Sequence, residues 1–63
     1  MDPILLLQEL STGWNVNVFQ SLSDDRVWTV SISRDHREHC YWGSDLARCI
    51  RAAWAGEPSG KVG

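Results

Sequence analysis

The apolar period of this chain changes twice, and that constrains the fold more than any single residue does. Pro3, Leu6, Leu7 and Leu10 fall at i, i+3, i+4 and i+7, one face of a helix. Trp14, Val16 and Val18 then alternate with Asn15 and Asn17, the period of a half-buried strand. The stretch from Val27 to Ser33 repeats it, with Trp28, Val30 and Ile32 on one side and Thr29, Ser31 and Ser33 on the other. Leu46, Cys49, Ile50, Ala53 and Trp54 return to helical spacing. The expected order is helix, strands, helix.

The residues between these runs agree. Asp2-Pro3 supplies an N-cap followed by proline at the first helical position. Gly13 is the expected stop, through a left-handed closure. Ser23-Asp24-Asp25 is turn chemistry, so the first two strands read as an antiparallel hairpin. The charged stretch Arg34-Asp35-His36-Arg37-Glu38-His39 reads as a loop running into a third strand that ends at Cys40 to Trp42. Gly43-Ser44 gives a turn and an N-cap, with Asp45 in the first turn, and Gly56 ends the helix. The expectation is an α+β fold, a single αβββα domain over residues 1–56. Its antiparallel three-stranded sheet carries both helices on one face, and 57–63 form a flexible tail.

A 63-residue chain buries only about 60% of the surface its unfolded form exposes. Trp14, Trp28, Trp42 and Trp54 offset this, since each can bury roughly 150–250 Å². They are spaced so that each element after the first helix receives one, which favours a shared core over an aromatic platform for bases or a partner. The second sheet face is then left to water, with Asn15, Asn17, Phe19, Val27, Thr29, Ser31 and Ser33 on it. Phe19 and Val27 are the only apolar residues among these. Ile4 and Leu5 lie outside the helical stripe, so either the helix is widely buried or they meet a partner or a second copy.

Several chemistries are disfavoured. The longest apolar run, Ile4 to Leu7, is too short for a membrane span, and Met1-Asp2 offers no basic leader, so a cytoplasmic location is expected. His36, His39, Cys40 and Cys49 lack the paired short spacings of structural zinc, and on a strand His39 would point away from His36 and Cys40. The two cysteines read as small hydrophobes, with a Cys40–Cys49 disulfide conceivable outside a reducing compartment. His36-Arg37-Glu38 matches half of a zinc-deaminase motif whose P-C-x-x-C partner is missing. No phosphate loop or nucleophile elbow is present, so no enzyme and no cofactor is expected. Charge is bipolar. Residues 1–25 carry Asp2, Glu9, Asp24 and Asp25 without a base, whereas residues 26–51 carry five arginines against Asp35, Glu38 and Asp45. Such a surface fits charge-guided protein docking better than a phosphate track, or it is simply solvated.

The run Asp45-Leu46-Ala47-Arg48-Cys49-Ile50-Arg51-Ala52-Ala53-Trp54-Ala55 resembles the closing helix of the phage ABA-sandwich domain, and the preceding Trp28-Thr29-Val30 strand fits it too, a resemblance over about residues 4–55. That family ends in a similar small-residue helix, here with the Cys and Ile in exchanged order. The aromatic-x-Val strand followed by Gly43-Ser44-Asp45-Leu46 and an Ala-rich helix is also similar to the HicB-like antitoxin fold, without its Pro-Gly turn. The phage resemblance implies an inhibitor of host defence, and in size and charge the chain looks like an anti-CRISPR protein. The expected function is non-enzymatic binding to a host protein complex, a CRISPR interference complex, as a monomer or weak homodimer. Its contact residues would be Asp24 and Asp25 on the first turn and Asp35 and Glu38 on the charged loop, carboxylates able to meet a DNA-binding arginine surface. The alternative is an antitoxin-like or nucleic-acid-binding module using Arg34, Arg37, Phe19 and the exposed sheet face.

Overall fold

Asp2 opens the first helix as the sequence predicts. Its carboxylate accepts the Ile4 N–H at 2.9 Å, and Pro3 begins α1, Pro3–Ser11. The computed structural model describes residues 2–21 and 26–62. The helix does not close through a left-handed glycine. Thr12 is the C-cap in the right-handed region, and the Gly13 and Trp14 N–H groups both donate to the Leu10 carbonyl. That bifurcated end turns the chain into β1, Asn15–Gln20, after only three residues.

β1 pairs antiparallel with β2, Trp28–Arg34, from Asn15 opposite Ser33 to Gln20 opposite Trp28. β2 pairs antiparallel with β3, Arg37–Gly43, from Trp28 opposite Gly43 to Arg34 opposite Arg37. The charged stretch is therefore not a loop. It is a hairpin with a two-residue turn, in which Asp35 takes φ 55. Tight hairpins need such a positive φ, and aspartate tolerates it. The flanking charges stay in the strands because their side chains reach water.

The second helix, α2, spans Leu46–Ala55. Its N-cap is Asp45, one residue later than the sequence suggests, with the carboxylate accepting the Arg48 N–H at 3.3 Å. Gly56 at φ 74 closes it in the left-handed conformation. Beyond it Gly60–Lys61 form β4, parallel to β3, so the sheet has four strands in the order β1-β2-β3-β4 and not three. Val62 donates to the Trp42 carbonyl at 2.7 Å and packs against the core, so the segment read as a tail contributes a strand. No helix among the described residues is long and apolar enough to cross a membrane.

The core joins Leu6 and Leu10 of α1, Val30, Ile32 and Tyr41 of the sheet, and Cys49, Ile50, Ala52 and Ala53 of α2. The tryptophans are not its centre, contrary to the sequence reading. Trp14 is half-buried at the rim, while Trp42 and Trp54 are exposed. Tyr41, Val30 and Cys49 occupy the centre. Cys49, Ala52 and Ala53 are small, so α2 approaches β2 and β3 closely and leaves no volume there for an indole. The phenol of Tyr41 donates to the Glu57 carbonyl at 2.6 Å, which satisfies its one polar atom.

Candidate functional site

Register places three cross-strand rows on the sheet face opposite the core residues. Asn15, Ser33 and Glu38 form one, and Asn17, Ser31 and Cys40 the next. Phe19, Thr29, Trp42 and Lys61 form the third, crossing all four strands. Phe19 is 51% and Trp42 41% exposed. They lie two strands apart, about 10 Å, and flank Thr29 as the walls of a shallow trough. Lys61 extends that row at the far edge, and Glu38 sits at the opposite end of the face. The feature that sequence reasoning missed is Trp42. Tyr41 and Trp42 are both aromatic, so polarity does not say which one points inward. The signal that does is the pairing of Trp42 with Thr29, a residue on the polar side of β2.

Of the four acids expected to bind a partner, the two that are described, Asp35 and Glu38, do not lie on this trough. Asp24 and Asp25 lie outside the described residues. Asp35 is at the tip of the β2–β3 turn, and Glu38 is on the open face beside Ser33. Two bases share that tip. Arg34 and Arg37 are directly paired, and the Arg34 guanidinium sits 4.7 Å from the Trp14 ring centroid. The tip is thus a mixed-charge cluster. Arg48 and Asp45 form an ion pair at 3.7 Å with both side chains exposed, a contact worth little in water.

The residues of the alternative reading do not converge either. Arg34 and Arg37 project on the pleat opposite to Phe19, and β2 separates them lengthwise by nearly its whole span. His39 is held at Trp14, ring centroids 5.9 Å apart and edge-on, and its Nδ1 lies 3.0 Å from the Ser59 hydroxyl. Cys40 is on the open face, near Ser31 and Glu38 at 3.7 and 3.8 Å, whereas Cys49 is buried in the core; both thiols are free. Among the described residues no three of His, Cys, Asp and Glu converge as a metal site.

On the helical side Trp54 is 49% exposed, with its indole N–H donating to Glu9 at 2.8 Å. Beside it runs a shallow cleft of about 360 Å³ lined by Leu6, Arg51, Trp54, Ala55 and Glu57. A second, of about 320 Å³, is lined by Leu5, Gln8, Glu9 and Thr12. In the second, the Thr12 hydroxyl donates to the Glu9 backbone carbonyl at 2.7 Å, and the Glu9 carboxylate accepts from Trp54. The buried titratable groups are structural: burial pushes the Tyr41 phenol up, with Glu57 adding to it. Burial and the Asp45 carboxylate push the Cys49 thiol up, against a smaller opposite effect of a backbone hydrogen bond. Comparison of the chain with protein-family models, curated proteins and solved structures finds no match.

Proposed function

We propose that this chain is a non-enzymatic binding protein of phage or mobile-element type that acts by covering a surface of a host complex. Its most concrete form is inhibition of a CRISPR interference complex. The observation that carries the binding reading is the Phe19–Thr29–Trp42 row, in which two large aromatic side chains stand in water on an otherwise small and polar face. Aromatic residues in such positions are the usual anchors of protein interfaces. On this reading both helices cover the face of Val30, Ile32 and Tyr41 and leave the opposite face free to dock. Asp35 and Glu38, at the far end, supply the carboxylates that meet arginines of the partner and fix orientation. The anti-CRISPR form of this proposal rests on the phage resemblance together with this two-anchor surface.

The test is target-DNA binding by reconstituted interference complexes with and without the purified protein. Inhibition at near-stoichiometric ratio is expected, weakened at least tenfold by Trp42→Ala and less by Asp35→Lys with Glu38→Lys, each variant keeping its circular-dichroism spectrum. No inhibition of any complex overturns the assignment. Retention on single-stranded DNA or RNA that falls steeply between about 50 and 200 mM salt moves it to the nucleic-acid-binding alternative, with Phe19 and Trp42 as stacking residues.

A further inference from the structure

We infer that two copies of this chain associate through their β1 strands, which pair antiparallel across a two-fold axis at Asn17. Hydrogen-bond parity fixes which groups of β1 are open. In an antiparallel pair, alternate residues exchange both backbone bonds. Ser21 N–H donates to the Val27 carbonyl at 2.9 Å, and the same register runs on through Phe19–Thr29, Asn17–Ser31 and Asn15–Ser33. The backbone N–H and C=O groups of Val16 and Val18 therefore point away from β2. β1 is the end of the sheet order, and no described residue takes those groups.

The strand lacks every device that keeps an edge from pairing. Asn-Val-Asn-Val-Phe-Gln contains no charge and no proline, and its register with β2 is continuous, without a bulge. The helix above it adds an apolar flank. α1 packs on β1 and α2, with Glu9 turned to Trp54 of α2. At about 100° per residue, Ile4 and Leu7 lie on the opposite side of α1, away from α2. Ile4 is 63% and Val18 39% exposed, and Leu7 is half-buried. Open backbone groups and apolar side chains thus lie along one border.

A second copy fits this border better than an unrelated strand does. With the axis at Asn17, Val16 of each copy pairs with Val18 of the other, giving about four backbone bonds, and each Ile4–Leu7–Val18 flank meets its own likeness. A lone strand would fill the ladder and leave that flank in water. The β1 strand is also uncharged, so pairing it with its copy sets no like charges opposite each other within the ladder. Six strand residues run about 20 Å against a shortest dimension of 18 Å. A face of those dimensions is about 360 Å² per copy and about 700 Å² over both, below the range of a stable specific dimer. The association is accordingly weak and reversible.

The test is sedimentation equilibrium of the full chain from about 10 µM to 1 mM. The mass should rise from 7.1 kDa toward twice that value, equally in low salt and in about 0.5 M NaCl. Asn17→Lys sets two ammonium groups opposite each other at the axis and should weaken association at least tenfold, with an unchanged circular-dichroism spectrum. On a Cys40→Ser background, Asn17→Cys should oxidise to a covalent dimer while Asn15→Cys, about 13 Å from its counterpart in this register, should not. A chain that stays monomeric at the top concentration overturns the inference. So does a dimer that salt dissolves, that Asn17→Lys leaves intact, or that links through position 15 in preference to 17.

Discussion

The two borders of the sheet are finished in different ways. At the β3 side the chain returns and closes the edge itself: Val62 takes the Trp42 carbonyl, Tyr41 donates to Glu57, and His39 meets Ser59. At the β1 side nothing described returns, and the edge keeps neutral side chains with the Val16 and Val18 backbone groups directed outward. The difference shows how edge protection works in a chain this short. The returning segment covers one border, held by hydrogen bonds distributed along β3 and by Val62 packed against the core. The uncovered border then depends on water or on another molecule for its backbone partners.

The largest effect should come from unseating the closed border. A Cβ on Gly43 would run into the backbone carbonyl of Val62, so this position admits β4 only as glycine. Gly43→Val should cost about 1–3 kcal/mol, lowering the urea midpoint, and should free the Val62 amide to exchange with solvent. Destabilisation with the Val62 amide still protected would show that Gly43 serves α2 packing and not the closing strand.

Next in size is the Tyr41 anchor. Tyr41→Phe removes the donor to the Glu57 carbonyl and should cost about 1 kcal/mol. The pH profile sharpens this. The Tyr41 phenol and the Cys49 thiol are both pushed above their ordinary values of 10.0 and 9.0, chiefly by burial. Each holds its proton to higher pH in the folded chain than in the unfolded one. Their contribution is therefore complete below the unfolded-state values and is lost as pH rises through the folded ones. Stability should decline above about pH 9, and Tyr41→Phe should flatten the part of that decline above pH 10 while leaving the thiol part. Urea midpoints measured from pH 7 to 11 check both; an identical alkaline decline in the variant would place the titration elsewhere.

The asymmetry of the borders was only half legible in the sequence. Period-two alternation in 14–18 and 27–33 marks β1 and β2 and assigns Phe19 to the open face, because polar and apolar residues there differ sharply. β4 left no such signal: Gly60–Lys61 are two residues, too few to show a period, and what holds them is a glycine at Gly43 and a carbonyl on Trp42 far away in the chain. The tryptophans misled for a related reason. Size favours burial only where a layer has room, and the alanines of α2 close that room, which sends Trp42 and Trp54 outward. The candidate site was legible to the same extent, with Phe19 visible and Trp42 hidden behind Tyr41. Of the four acids, the sequence put Asp35 and Glu38 on a loop. The tight turn instead leaves Asp35 at a tip beside Arg34 and Arg37 and moves Glu38 onto the sheet.

The smallest perturbation needs no substitution at all. If the β1 border is open, its amides should exchange in alternation in dilute solution: Asn17 and Phe19, bonded to β2, slowly, and Val16 and Val18, directed outward, at nearly the rate of an unstructured chain. The Val62 amide, bonded to Trp42, should behave like Asn17. Raising the concentration into the range where copies associate should slow Val16 and Val18 and leave Asn17, Phe19 and Val62 unchanged. Residue-resolved amide exchange at two concentrations reads all five positions in one experiment. Uniform protection along β1 in the dilute sample would mean that the chain covers this border too, and the contrast between the two edges would fall with it. Alternation that persists unchanged at high concentration would leave the contrast standing and remove the second copy from it.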